Sequence, residues 1–371
     1  MQPLPVINGI HHVSLLALNA ERTTQFYVDV LGLHPTGESR GDDRSGPPRV
    51  SLGDANGTLI TITELADGSP GELGIGTIHH VALAVASFDA LLKWKRWLQH
   101  NQFLVYGPYD QQAYQDIIFA DPDGVLLEIA TRGPGWEATQ DGRDVYSPPK
   151  ESMAPYRNED RIRMRTWPHP VTQIEPDMQL QGFHHISTIA SSLEQTDRFY
   201  RDVLSLPLVR KTLDHDDPEV EHWYWGLDGG RPGTVITAFP IVHAHEGGKP
   251  VYGHTGVGVV DRFALDVDMD EEGLRHWGSD LLSRGLEVTS LSADQPRSVS
   301  LRSPDGHVVE LVAALPGRAV DDTTRDSDHD VSSSGALRSG VAVDEDSFHD
   351  SMSSGESVSE RTQETETEAH T

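Results

Sequence analysis

The stretch TIHHVALAVASFDALLKWKRWLQ (residues 77–99) decides the fold, because two related stretches occur elsewhere in the chain. They are GIHHVSLLALNAERTTQFYVDVLGL (9–33) and GFHHISTIASSLEQTDRFYRDVLSL (182–206). Each begins with a short apolar run that predicts a strand, passes a polar break, and continues with the apolar spacing of a helix. Self-similarity at this scale indicates that the chain is built from repeated modules.

A fourth copy, VVDRFALDVDMDEEGLRHWGSDLLSRG (259–285), has the strand and the helix but no histidine pair. Every copy is followed by a glycine that leads into another apolar strand, and two of these glycines end the tight-turn motifs DPDG (121–124) and SPDG (303–306). The repeating unit is therefore a βαβββ module used four times, which predicts an α+β fold.

The modules divide the chain as follows. Modules one and two occupy residues 1–131, a connector rich in Pro, Arg and Glu spans 132–178, and modules three and four occupy 179–318. Residues 319–371 hold 14 acidic residues, three arginines and few large apolar groups. A segment of this composition cannot bury a core, so we expect a disordered acidic tail.

Composition limits the classes of partner. The 58 acidic residues exceed the 29 basic ones, and the net charge of −29 argues against nucleic acid and anionic membranes as partners. Five lysines against 24 arginines on an acid-rich chain resemble proteins of halophilic organisms, where salt screens self-repulsion. The absence of cysteine excludes thiolate chemistry. No signal peptide or long apolar run is evident, so we expect a soluble cytoplasmic protein.

Four such modules resemble the vicinal oxygen chelate superfamily, which includes glyoxalase I, bleomycin-resistance proteins and extradiol dioxygenases. Within it, the opening of hydroquinone-type ring-cleaving dioxygenases resembles two stretches of this chain, GFHHIST (182–188) and the segment from DVLSLPLVRK to GTVITAFP (202–240). The closing part of those enzymes is similar to GTIHHVAL (76–83) and FADPDGVLLEIATRGPG (119–135). The halves stand in swapped order, and the resemblance implies four modules paired into two domains, with the site shared by modules two and three.

The resemblance also implies a metal site. In this superfamily the second histidine of the pair and a position on the last strand of a module supply ligands, which selects His80, Glu128 and His185, with Thr237 at the fourth position. Neighbours on a strand point to opposite faces, so we expect only one histidine of each pair to enter the site. Two imidazoles and a carboxylate form a facial triad that suits Fe(II), with Mn(II) as the alternative.

Further site residues follow from the same resemblance. The candidates for proton transfer or substrate contact are His79, His184, Ser187, His222, Tyr224 and Tyr114. Two positions depart from the family, because Ile118 stands where a tyrosine is usual and Gln111 where an arginine is usual. These departures indicate a different substrate or a less polar pocket, with Tyr114 as the nearest replacement.

Modules one and four hold a remnant of the same ligand pattern. Module one offers His12 and module four offers Glu310, but the matching first-strand position of module four is Arg262. An arginine stays protonated and cannot bind a cation. We therefore expect Arg262 to pair with Glu310, and modules one and four to be structural.

These inferences favour an Fe(II)-dependent ring-cleaving dioxygenase that acts on a catecholic or hydroquinone aromatic with O₂, assembled as a homodimer. Two alternatives stay open. One is a glyoxalase-like metal-dependent lyase or isomerase, which would need a fourth protein ligand near Thr237. The other is a non-enzymatic protein that binds a small aromatic.

Overall fold

Four repeats of one strand–helix–strand–strand–strand unit make up most of the described part of this protein. The structure is a computed structural model and describes residues 4–36, 48–111, 113–132, 165–213, 220–240, 250–290 and 297–313. The described residues all belong to one compact unit, Met1–Arg318. The tail that we expect to be disordered, residues 319–371, lies outside the described residues.

Sixteen strands are found in the described ranges, four to each module. Those of modules one and two are β1 (Ile7–Ala17), β2 (His34–Pro35), β3 (Arg49–Gly53), β4 (Leu59–Glu64), β5 (Ile78–Val85), β6 (Tyr106–Asp110), β7 (Gln115–Ala120) and β8 (Leu126–Thr131). Those of modules three and four are β9 (Phe183–Ala190), β10 (Leu208–Leu213), β11 (Glu221–Trp225), β12 (Val235–Pro240), β13 (Val260–Val267), β14 (Val288–Ser290), β15 (Ser298–Arg302) and β16 (Val308–Ala313).

Every module has the same topology. The last strand lies parallel to the first, as β8 does beside β5 and β12 beside β9, and the two remaining strands extend the sheet outward. A parallel pair needs a crossover, which the helix of each module supplies. The predicted α+β class with repeated βαβββ modules is confirmed.

The modules pair out of chain order. Strands β5 and β9 pair antiparallel and join modules two and three, while β1 and β13 pair antiparallel and join modules one and four. One residue pair, Val260 with Ile78, links β13 to β5 and makes the described strands a single sheet. The two modules expected to share a site are therefore direct neighbours.

The helices cross over the sheet and bury one face against it. They are α1 (Ala20–Gln25), α2 (Phe88–His100), α3 (Leu193–Arg198) and α4 (Glu271–Ser283), of which α1 and α3 continue as the π-helical turns Phe26–Val30 and Phe199–Val203. Each begins at a side chain that accepts a hydrogen bond from a first-turn N–H. These capping residues are Asn19, Ser87, Ser192 and Asp270. In the longer helices, Trp94 and Trp277 fill the core.

Four glycines bring the start of each module against a turn of another. A Cβ on Gly76 would overlap the backbone oxygen of Asp305, and one on Gly258 would lie 2.5 Å from that of Asp123. Modules two and four thus contact each other reciprocally. Gly9 and Gly182 make the matching contacts between modules one and three, with Gly233 and Asn56. Only a residue without a side chain allows this approach, and Gly76 and Gly258 also have positive φ.

Candidate metal centre and its surroundings

Three side chains converge where modules two and three meet. His80 lies on β5, Glu128 on β8 and His185 on β9, and one ligand atom of each lies within 4.8 Å of the other two. The two Nε2 atoms are 3.0 Å apart. Glu128 Oε2 lies 3.1 Å from His80 Nε2, and Glu128 Oε1 lies 3.9 Å from His185 Nε2. All three residues are buried.

Strand register explains this convergence. Ala82 is the neighbour of Glu128 on β8 and of His185 on β9. Residues directly opposite in a sheet share a face, and His80 shares that face because it lies two residues from Ala82. The three side chains therefore project from adjacent strands onto one side of the sheet.

The geometry fits a divalent ion. Ligand bonds of about 2.1 Å at right angles place neighbouring donor atoms about 3.0 Å apart. Two of the three separations, from His80 Nε2 to His185 Nε2 and to Glu128 Oε2, are 3.0 and 3.1 Å. Within the described part of the chain, the cluster has these three His, Asp or Glu members and no fourth. Such a set could hold one face of a metal ion and leave the opposite face for exogenous ligands.

Burial keeps the His185 imidazole ready to act as a ligand. Desolvation lowers the pKa of His185 well below its ordinary value, and it lowers the pKa of His184 to about 3. A neutral imidazole has a lone pair available for a metal, whereas an imidazolium has none.

The histidine pairs differ from the sequence expectation. The pairing of β5 with β9 skips His79 on one strand and His184 on the other, and the pairing of β1 with β13 skips His11. Each first histidine is thus a bulge residue, and a bulge re-aims side chains that regular alternation would separate. His79 Nδ1 lies 2.9 Å from His80 Nδ1, and His184 Nδ1 lies 2.8 Å from His185 Nδ1. The expectation that the two rings of a pair point apart is wrong.

A group of hydroxyls and rings adjoins the triad on the module-three side. The Tyr224 hydroxyl lies 3.1 Å from His222 Nδ1 and accepts a hydrogen bond from Thr212 Oγ1 at 3.3 Å. Tyr114 hydrogen-bonds Tyr224, and its ring centroid is 5.6 Å from that of His185. Desolvation raises the pKa of both tyrosines, so they remain protonated at neutral pH.

Two small hydroxyl residues lie beside the ligands. Ser187 stands opposite His80 in the sheet, and Thr237 stands opposite Ser187. Both are fully buried, and neither hydroxyl oxygen has a hydrogen-bond partner among the described residues. Thr237 holds the position where a fourth ligand would be expected, and its neutral hydroxyl is a weak substitute for a carboxylate.

The two departures from the family pattern have clear locations. Ile118 lies opposite Glu128 in the sheet, so an apolar side chain flanks the carboxylate. Gln111 donates from Nε2 to Asp116 Oδ2 at 2.9 Å. Tyr114 lies against the two histidines of module three rather than in the place of Ile118.

Sequence reasoning missed three residues of this region. Asp116 is a fully buried carboxylate two residues before Ile118, Arg210 stands opposite Tyr224, and the Phe239 ring packs between those of His79 and His222. Alternation along β7 and β12 was the available signal for Asp116 and Phe239, because each lies two residues from a position already singled out.

Modules one and four repeat the arrangement with one change. His12 Nε2 lies 3.9 Å from Glu310 Oε2, and Arg262 Nε lies 3.3 Å from the same oxygen. The expected pairing of Arg262 with Glu310 is present. Burial lowers the pKa of His12 to about 3, with His11 and Arg262 adding to the effect. A guanidinium thus stands where modules two and three have an imidazole.

Sequence comparison gives the class of protein that this fold and site define. The profile of the Glyoxalase/Bleomycin resistance protein/Dioxygenase superfamily matches residues 9–129. MhqA of Bacillus subtilis, provisionally named a ring-cleaving dioxygenase, is 31% identical over 322 residues, which cover 85% of this chain and 90% of MhqA. The chain belongs to this superfamily.

Two further relatives match over shorter segments. MhqO of Bacillus subtilis, with the same provisional name, is 33% identical over 37% of this chain, and the chain spans 42% of its length. Chlorohydroquinone/hydroquinone 1,2-dioxygenase of Sphingobium indicum is 28% identical over 30% of this chain and 33% of its own length. The alignment thus spans less than half of these two proteins.

Solved structures agree with the fold. A crystal structure described as a dioxygenase from Bacillus subtilis superposes with a TM-score of 0.61 at 22% identity, over 85% of this chain and 88% of that one. Glyoxalase I from Zea mays superposes with a TM-score of 0.53 at 15% identity, over 82% and 92%. At these identities the likeness concerns the fold. No helix in the described ranges is long and apolar enough to cross a membrane.

Proposed function

We propose that this protein is an Fe(II)-dependent ring-cleaving dioxygenase that acts on a catecholic or hydroquinone aromatic. In the proposed reaction both atoms of O₂ enter the product, one ring carbon–carbon bond adjacent to a hydroxylated carbon breaks, and the ring supplies all the electrons. No external reductant is needed. Fe(II), or Mn(II) as the alternative, supplies the electronic coupling between the aromatic diolate and O₂ when both are bound.

The observation that carries the proposal is the ligand set. His80, Glu128 and His185 offer two imidazole nitrogens and one carboxylate oxygen within 4.8 Å of one another. A three-ligand face leaves room for a substrate oxygen and O₂ together, which is the arrangement typical of non-haem iron oxygenases. A lyase of the glyoxalase type would require a fourth protein ligand, and Thr237 at that position favours the dioxygenase.

Residues around the ligands support an aromatic substrate. A small apolar and aromatic cluster lies beside His185, formed by Ala113, Tyr114, Ala130, Tyr224 and Val235. Val235 is the neighbour of His185 on β12, and the Tyr114 ring lies against both histidines of module three. Such a wall suits the face of a planar ring. Ile118 beside Glu128 makes the surroundings of the carboxylate less polar than in the family pattern, which favours a ring with few additional charges.

We propose that the remaining candidates position and handle protons around this ring. His222 and Tyr224 share a hydrogen bond, so a proton can pass between the imidazole and the phenol as the substrate hydroxyls change state. The buried hydroxyls of Ser187 and Thr237 face the same side of the sheet as the ligands and can donate to an oxygen bound there. His79 and His184 contact the ligand rings directly.

The test is anaerobic loading of the full chain with Fe(II), followed by O₂ uptake with a panel of catechols and hydroquinones. We expect one O₂ consumed for each ring opened, and loss of uptake in Glu128→Gln. The matched control is Glu310→Gln, which alters the equivalent carboxylate of modules one and four and should retain uptake. If no compound in the panel supports O₂ consumption, or if both variants behave alike, the proposal is wrong. Metal-independent binding of an aromatic would favour the non-enzymatic alternative.

A further inference from the structure

We propose that His79 and His184 are positioning residues, each of which fixes the tautomer of the metal ligand that follows it. This inference rests on the metal centre of the proposed function, and it concerns how this chain prepares that centre. It assigns the first histidine of each pair a different role from the proton transfer considered above. The role is to hold a neighbouring ring so that its Nε2 lone pair faces the ion.

The distances allow one proton between the two rings of a pair. The Nδ1 atoms of His79 and His80 are 2.9 Å apart, and those of His184 and His185 are 2.8 Å apart. Two N–H groups would clash at this separation and two lone pairs would repel each other, so one nitrogen donates and the other accepts. A neutral imidazole that binds a metal through Nε2 carries its proton on Nδ1. His80 and His185 are therefore the donors, and the preceding histidines accept.

In module three, an independent contact fixes the same hydrogen-bond direction, from His185 to His184. The His184 ring also donates a hydrogen bond to the backbone carbonyl of Thr131. Because Nδ1 of His184 faces His185, the nitrogen that donates to Thr131 is Nε2. A neutral ring with its proton on Nε2 has a lone pair on Nδ1, so it accepts from His185. Thr131 ends β8, the strand that carries Glu128.

The bulges make this contact possible. Regular alternation would send the two rings of a pair to opposite faces, but His79 and His184 are the residues skipped in the pairing of β5 with β9. Partners that orient a ligating imidazole are usually carboxylates or backbone carbonyls. Here a second imidazole takes that place.

The chain contains its own control for this arrangement. His11 and His12 in β1 have the same bulge and an Nδ1–Nδ1 distance of 2.8 Å. His12 belongs to the set that contains Arg262, which cannot bind a cation. Removing the acceptor at position 11 should therefore perturb a fold-equivalent pair without affecting the metal centre.

The experiment measures affinity for Co(II), used as an air-stable probe, by competition with a chelator in the full-length protein. His79→Leu removes the acceptor at similar side-chain volume, and His79→Asn restores one, because an Asn Oδ1 can occupy the place of a His Nδ1. We expect Co(II) binding to weaken about 10- to 100-fold in His79→Leu. We expect His79→Asn to recover most of the affinity and His11→Leu to match the wild type. The pair His184→Leu and His184→Asn should behave in the same way.

Three results would overturn the proposal. The first is wild-type Co(II) affinity in both leucine variants. The second is equal weakening of Co(II) binding in the leucine and asparagine variants when their thermal unfolding matches that of the wild type. The third is a wild-type protein that binds no Co(II) at this centre. Failure of the proposed function is a separate outcome. If the leucine variants lose affinity and the asparagine variants recover it, the positioning role holds even when no aromatic compound supports O₂ uptake.

Discussion

Arg262→His should turn the remnant site of modules one and four into a second metal centre. Arg262 stands opposite Ser14, as His80 stands opposite Ser187. Ala264 neighbours both His12 and Glu310, as Ala82 neighbours both His185 and Glu128. An imidazole at position 262 would therefore occupy the place that His80 has in the other pair of modules.

The expected changes in metal content and in the free energy of unfolding can also be worked out. His12 Nε2 lies 3.9 Å from Glu310 Oε2, the same separation as His185 Nε2 from Glu128 Oε1, so the two retained donors are spaced like the corresponding pair in modules two and three. We expect metal content to rise from one to two ions per chain. At a free metal concentration 100 times the Kd of the new site, the second ion should add about 2.7 kcal/mol to the free energy of unfolding. The partly exposed ion pair that is lost is worth about 1 kcal/mol or less.

Equilibrium dialysis with elemental analysis would count the ions, and thermal unfolding with and without metal would measure the stabilisation. Arg262→Ala removes the guanidinium without adding a ligand and should stay at one ion per chain. Adding Glu310→Gln to Arg262→His should return the count to one. A count of one in Arg262→His itself, in folded protein at saturating metal, would refute the equivalence of the two sites.

Three further outcomes are expected. Tyr224→Phe removes the phenol that bonds His222 and should lower kcat for ring cleavage about 100-fold while leaving Co(II) affinity unchanged; unchanged kcat would argue against proton handling there. The pKa of His307 falls from 6.5 to about 3 on burial, so this residue binds a proton in the unfolded chain and not in the folded one as pH drops below about 6.5. In His307→Gln, the free energy of unfolding should fall less steeply between pH 6 and 5, by about 1.4 kcal/mol per pH unit, as measured by urea titration. An unaltered slope would contradict this. Gly76→Ala should destabilise by about 3 kcal/mol in the same assay, because a Cβ would collide with the Asp305 carbonyl at positive φ; a loss below about 1 kcal/mol would mean that the contact relaxes.

Much of the site could be predicted because it depends on short-range pattern. The repeated pair of histidines and the carboxylate of GVLLEIAT select His80, Glu128 and His185, and the structure brings these three together. The replacement of a histidine by Arg262 predicts the ion pair with Glu310, which is present. The first inference combines these motifs with the ligand positions that the resemblance implies, and the second adds the chemistry of the arginine at the matching position.

Other features depend on contacts between strands that the sequence does not reveal. A bulge is a property of two paired strands, so reading β5 alone predicts that His79 and His80 point apart, and they do not. The position of Arg210 opposite Tyr224 likewise depends on how β10 registers against β11. The π-helical turns that continue α1 and α3 had no recognised signal in the sequence.

The reciprocal contacts of Gly76 and Gly258 have a consequence for how the protein comes apart. Because the starts of modules two and four each press against a turn of the other, melting either one removes the support of its counterpart. Modules one and four are therefore expected to unfold together with modules two and three. Metal release and global unfolding should follow a single cooperative curve.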